Sequence, residues 1–255
     1  MAKWKPRGGK KRKSPASPQR HVPLLAALGT PPASDEVPMM LAARDEALDA
    51  LGFELRPEQM VEAARRASGQ ADAVRLTVLQ SAKDPPACSK GCSWCCSHKV
   101  GVTVPELIAV VAHLRAFPER LEVARKKAAE LAKNPLIFSD SEKPRARIPC
   151  ALLEADGSCG VYEVRPLPCR SWLSTDVTSC KQHLDEAAEP KLVLSAARSG
   201  RFIQLGLVKV MDDIQRYPYL VELTAGLDIA LNVPGAIESW LAGEPVFEPA
   251  SAARR

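Results

Sequence analysis

The chain lacks any stretch approaching the ~20 consecutive apolar residues that a membrane-spanning helix requires, which argues against an integral membrane protein. It shows no strand–helix alternation of the kind that builds a parallel sheet, and no internal repeat. A secretion signal is poorly matched. Val22-Pro-Leu-Leu-Ala-Ala-Leu28 follows basic residues, but the run is short and carries a proline, whereas a secretory apolar region spans ~7–15 residues before a small-residue cleavage site. The expected compartment is therefore the cytoplasm, where thiols stay reduced. Histidines are few, four in all, so nitrogen ligands are scarce.

Acidic residues are missing from positions 1–34, which carry Lys3, Lys5, Arg7, Lys10, Lys11, Arg12, Lys13 and Arg20. Without those eight, 27 basic residues face 30 acidic ones, so the net charge of +5 belongs to the tail and the body is mildly acidic. The tail mixes Lys and Arg with Pro, Ser and Gly, a composition that cannot offset its ordering entropy, and disorder is expected over 1–39. Its Lys10–Lys13 run could touch phosphates without sequence preference, a weak nucleic-acid contact at most. A solvated, solubilising tail is the plainer reading.

Helical signals dominate the body. Leu41–Leu51 reads as a helix stopped by Gly52, and Pro57 opens a second helix toward Lys83, with a break expected near Ser68-Gly69. Thr103-Val-Pro-Glu106 has the form of a capping box, followed by Leu107, Ile108, Val111 and Leu114 on one face. Pro118 starts a basic helix to about Lys133, Pro190 a long one with Gly200 as a break, and short helices follow near 220–231 and 235–242. Asp156-Gly157 signals a hairpin. The expected fold class is mainly α, a single helical domain over 40–245 with a small β-hairpin or loop region carrying a cysteine-rich metal site. Residues 246–255 are expected to form a flexible C-terminus.

Eight cysteines fall between 88 and 180, four of them in Cys88-Ser-Lys-Gly-Cys92-Ser-Trp-Cys95-Cys96. Thiolates are soft ligands for zinc, copper(I) or iron–sulfur clusters. Cys150, Cys159, Cys169 and Cys180 complete the candidate metal ligands. The rival reading, a disulfide framework, requires an oxidising compartment and sits awkwardly with adjacent Cys95 and Cys96. On a helix the side chains of those neighbours diverge by about 100°, so one mononuclear ion does not suit both. Two sites, a multinuclear cluster or one bystander thiol would each resolve this.

A regular hairpin turning at Asp156-Gly157 would pair Cys159 with Glu154 and leave Cys150 about 13 Å away, at ~3.3 Å per residue. Cys150 and Cys159 would then serve different metals unless the hairpin is distorted. Arg165 and Arg170 are candidate cofactor-contacting residues, able to neutralise thiolate charge and to donate hydrogen bonds to sulfur; an ordinary surface salt bridge is the alternative. His98 and His183, close to cysteines, could be ligands but read more simply as loop histidines, and His113 reads as a packing residue. Trp94 and Trp172 could shield a cluster or merely pack.

The residues from 88 to 180 resemble the bacterial cysteine-cluster family of the YkgJ type, described as zinc- or iron-chelating. Its pattern, C-x3-C-x2-C-C, then C-x-x-L, then G-x-C-x-x-Y-x-x-R-P-x-x-C-R, is met by Cys88, Cys92, Cys95 and Cys96, by Cys150 and Leu153, and by Gly157, Cys159, Tyr162, Arg165, Pro166, Cys169 and Arg170. Ala151 stands where the family usually has proline, and Pro149 precedes Cys150. The resemblance implies metal binding but no fixed reaction, since related motifs also occur in flagellin lysine methylases.

The leading expectation is thus a metal-binding protein holding zinc or an iron–sulfur cluster in one or two sites, with a redox or electron-transfer role open. An enzyme is the alternative: Cys88-x3-Cys92-x2-Cys95 has the spacing of the radical S-adenosylmethionine motif, although the strand–helix units that carry that chemistry are not evident. A third reading is a nucleic-acid or ribosome-associated module with a structural metal. The sequence leaves room for a protein partner but does not identify one.

Overall fold

The computed structural model describes residues 35–52, 55–81, 84–89 and 91–253, so the basic tail lies outside the described residues. The architecture is mainly α. Helices α1 (Glu36–Leu51) and α2 (Pro57–Ser81) are followed by α3 (Val104–Arg115), α4 (Pro118–Leu131), the short α5 (Glu142–Arg145), α6 (Leu167–Ser171) and α7 (Val177–Glu186). The long α8 (Leu194–Asp213), α9 (Leu223–Asn232) and α10 (Ala236–Leu241) complete it. A two-stranded antiparallel sheet joins β1 (Gly101–Val102) to β2 (Val221–Glu222), with Gly101 opposite Glu222 and Val102 opposite Val221. Among the described residues no helix is long and apolar enough to cross a membrane.

Helix α8 is the centre of the core. It packs against α1, α2 and α6, and buries Phe202, Ile203, Leu205, Leu207, Val210 and Met211. Two glycines allow this. A Cβ on Gly206 would lie 2.6 Å from the Met40 carbonyl oxygen and 2.8 Å from Ala43 Cβ, so the α1 backbone can approach only because that atom is missing. A Cβ on Gly200 would meet Ser171 Oγ at 2.3 Å, which lets α8 lie directly against α6. Gly200 and Gly69, both expected as breaks, sit inside continuous helices. Packing at Gly200 outweighs the cost of about 1 kcal/mol that glycine carries in a helix.

Several starts and stops follow the sequence signals. Thr103 forms the expected capping box with Glu106, and the apolar face of α3 buries Leu107, Ile108, Val111 and Leu114. Other boundaries move. Helix α1 begins at Glu36, inside the segment expected to be disordered, because buried Glu36 pairs with Arg198 of α8. The long helix starts at Leu194, not Pro190, since Leu192 is bridged to Ser174. The C-terminal stretch expected to be flexible is packed instead: Phe247 is fully buried and Ser251 bridges Val221.

One ion pair lies fully inside. Lys143 Nζ sits 2.8 Å from Glu222 Oε1, with side chains only 2 % and 0 % exposed, and Glu222 also caps α9 through the Ala225 amide. It ties α5, just ahead of Cys150, to the sheet and α9.

Two stability tests follow from this packing. Gly206→Ala forces α1 and α8 apart and should cost about 1–3 kcal/mol in denaturant unfolding, the range for overpacked cores. Lys143→Ala strands a buried carboxylate and should cost about 3–5 kcal/mol, while Lys143→Met combined with Glu222→Gln should recover most of that loss.

Candidate metal centre

Four chain segments deliver the cysteines. The first, 87–98, is fixed at its start by Ser174: the Ala87 amide donates to the Ser174 carbonyl at 2.8 Å, and the Ser174 amide donates to Cys88 Sγ at 3.5 Å. The Cys92 amide donates to the Ser89 carbonyl, with Gly91 at φ +86°. Cys95 and Cys96 then sit in a 3-10 turn, Trp94–Ser97, closed by the amides of Cys96 and His98. The two adjacent cysteines thus share one short turn.

The second segment joins the first through its backbone, the Cys150 amide donating to the Cys96 carbonyl at 2.8 Å. Where a hairpin was expected, the chain forms a single antiparallel bridge between Leu153 and Cys159 around a turn with Gly157 at φ +79°. The Leu153 amide folds back to the Cys150 carbonyl, and the Gly160 amide donates to that of Leu152. The segment is therefore a compact turn and not the regular ladder expected. Helix α6 supplies Cys169, and α7, capped by Asp176, supplies Cys180.

All eight thiols are free; Cys88 is exposed and the other seven are half-buried. Burial is the chief force on most of them. It raises Cys92, Cys159 and Cys180, lifts Cys150 to about 11 and holds Cys169 well above the usual thiol range. Cys95 is the exception, lowered to about 7 chiefly by a hydrogen bond from Cys96 and further by the charge of Arg165, while the donating Cys96 is pushed up. Among the described residues, no three His, Cys, Asp or Glu side chains are spaced as a preformed set around one point.

The two arginines separate. Arg170 is committed to the scaffold: Nε donates to the Arg165 carbonyl at 2.7 Å, one terminal nitrogen pairs with Asp72 of α2 at 2.8 Å, and the other donates to the Glu163 carbonyl. Arg165 favours the charged forms of Cys95, Cys159 and Cys169, and Lys143 does the same for Cys150. The Arg165 guanidinium lies 3.9 Å from the centre of the Tyr162 ring, and its buried Nε has no hydrogen-bond partner. An orphaned buried donor beside a group of free soft thiols fits a centre that places negative charge there.

Other contributors carried little sequence signal. Ser174 donates its amide to Cys88 Sγ at 3.5 Å, and its hydroxyl reaches the Asp176 and Lys191 carbonyls at 2.9 and 3.0 Å, tying the start of α7 to the chain ahead of α8. His98 is not a solvated loop residue. Its ring stacks on His183 with centroids 4.8 Å apart and meets Trp172 at the same distance, clasping the 3-10 turn to α7. Burial lowers the His98 pKa to about 4. Both histidines lie two or three residues past a cysteine, a spacing that could have suggested the pairing. Trp94 faces Arg147, at 5.7 Å. His113 meets Phe117 with ring centroids 5.0 Å apart and planes tilted by 46°.

Residues 87–189 match the family model CxxCxxCC, described as "Putative zinc- or iron-chelating domain". No curated protein and no solved structure gives a significant match. The matched segment spans all eight cysteines, together with Arg165 and Arg170. The similarity of this chain to that family is therefore confined to residues 87–189, the segment that holds its cysteines.

Proposed function

We propose that the protein holds zinc or an iron–sulfur cluster through the thiolates of Cys88, Cys92, Cys95, Cys96, Cys150, Cys159, Cys169 and Cys180. What supports this reading is that the matched segment spans all eight cysteines, none of them bridged, together with Arg165, whose buried Nε has no partner. A bound metal would deprotonate thiols that burial otherwise keeps neutral, so uptake should release protons and stabilise the fold. Arg165 would offset part of the resulting negative charge, whereas Arg170 holds the 163–165 turn against α2. Zinc in such a site supplies structural cross-linking; an iron–sulfur cluster supplies one-electron redox chemistry.

The redox reading and the enzyme reading draw unequal support. The spacing of Cys88, Cys92 and Cys95 remains compatible with a cluster. The strand–helix units expected of radical S-adenosylmethionine chemistry are absent among the described residues, where the sheet has two short strands. A chelating protein with a structural or electron-transfer role is therefore the preferred reading.

Metal and acid-labile sulfide analysis of protein purified without oxygen tests it. The expected result is zinc, or iron with sulfide and a visible absorption band; metal-free protein that is nonetheless fully folded would refute it. Arg165→Gln should weaken metal affinity about 10–100-fold, the usual effect of removing a supporting partner of ligands. Arg170→Gln should instead lower the unfolding midpoint while leaving metal affinity of the folded protein nearly unchanged. Equal effects of the two on affinity would contradict the division of roles.

A further inference from the structure

We infer that α4 clamps the turn that carries Cys150 and Cys159, with Lys127 as its positioning residue and Arg120 as a second, looser point. The clamp sets how readily that turn opens. Its consequence for metal retention rests on the metal-binding reading above; the clamp itself does not.

One residue joins the two cysteines through the backbone. The Leu153 amide donates to the Cys150 carbonyl at 3.1 Å, and Leu153 is also the bridge partner of Cys159. Bonds from the Glu154 amide to the Ser158 carbonyl and from the Gly160 amide to the Leu152 carbonyl, each 2.9 Å, flank that bridge. The Leu153 carbonyl accepts from Lys127 Nζ at 2.6 Å. A charged donor makes a stronger hydrogen bond than a neutral one, so this contact pins the residue on which both cysteine backbones depend.

The far end is tied less firmly. Arg120 donates to the Gly160 carbonyl at 3.5 Å, and its Nε lies 3.5 Å from Glu154 Oε1. Gly160 makes room for that carboxylate: a Cβ there would lie 2.5 Å from Glu154 Oε1 and 3.2 Å from the Leu152 carbonyl oxygen. The Arg120 side chain is 49 % exposed, so its ion pair contributes little beside the contact of half-buried Lys127.

The spacing of these residues puts them together. Arg120, Ala124 and Lys127 follow one another at intervals of four and three, which places them on one face of α4. Ala124, buried and small, lets the helix lie close to the turn. The crevice between them holds about 10 Å³, no more than a single water needs, so the contact is direct. Neighbouring carboxylates of α4 are engaged elsewhere, Glu122 by Arg125 and Lys126, Glu130 by Lys133. Neither Lys127 nor Arg120 belongs to the cysteine pattern.

Alkylation of the reduced, metal-free full chain with iodoacetamide, read cysteine by cysteine by peptide mass spectrometry, tests the clamp. Local opening exposes a thiol without unfolding the rest of the molecule. Lys127→Met keeps the apolar stem and removes the donor. It should speed the modification of Cys150 and Cys159 about tenfold, the lower end of what a hydrogen bond to a charged group contributes, and leave Cys88 and Cys180 at their wild-type rates. Lys127→Arg should restore most of the protection, and Arg120→Gln should raise the same two rates about twofold. Unchanged rates at Cys150 and Cys159 in Lys127→Met would overturn the clamp. So would an equal rise at all eight cysteines, which reports global unfolding. Chelator challenge of the metal-loaded protein then reads the consequence: faster release from Lys127→Met than from the wild type is expected, and equal rates would overturn the link to metal retention. Wild-type protein that takes up no metal would overturn the metal-binding reading, with the alkylation rates still deciding the clamp.

Discussion

The arrangement of the cysteines depends on a carboxylate that touches none of them. Glu106, 3 % exposed, accepts hydrogen bonds from the Thr103 amide at 2.8 Å, the Thr103 hydroxyl at 2.7 Å, Gln204 Nε2 at 3.1 Å and the Leu167 amide at 2.7 Å. The first two close the cap of α3, the third reaches the central helix α8, and the last fixes the first residue of α6, two positions before Cys169. Gln204 in turn donates to the Gly101 carbonyl in the sheet. Burial pushes the Glu106 pKa up against these four donors. Each buried donor left unsatisfied would cost about 1–3 kcal/mol, so the network specifies where α6 begins and hence where its thiol is held.

From that frame outward, the cysteine region is built with little regular structure. Its turns are short, its strands reduced to single bridges, and its thiols half-buried on loops and helix ends. Such a region has little apolar surface of its own to stabilise it, and the ring stack of His183, His98 and Trp172 is one of the few non-backbone links between the first cysteine segment and α7. A metal bound by ligands from four segments would supply cross-links where the helices supply none. The ion pair of Lys143 with Glu222 and the clamp of Arg170 on Asp72 anchor this region to the helical body from two sides.

The helical body was largely legible in the sequence because its signals are local. Thr103 with Glu106, Pro57, Pro118 and Gly52 each mark a boundary by backbone chemistry that needs no distant partner. The eight cysteines stand out in the sequence because their spacing is improbable by chance. The rest depended on tertiary contact. Gly200 reads as a helix break in sequence and is a packing site because α6 lies against it. Arg165 and Arg170 look equivalent in the motif, and only the positions of Asp72 and the 163–165 carbonyls separate them. The stretch from Cys150 to Cys159 reads as a regular hairpin in sequence and folds as a compact turn with a single bridge, set by contacts the sequence does not show. Ser174, whose amide meets Cys88 Sγ and whose hydroxyl meets the Asp176 carbonyl, has no sequence signature.

The central claim is that sulfur from these cysteines holds the metal. Metal-edge X-ray absorption on the loaded protein tests it most directly. The account predicts a first coordination shell dominated by sulfur. A shell made mainly of nitrogen and oxygen would contradict it, leaving the thiols as bystanders to a site elsewhere.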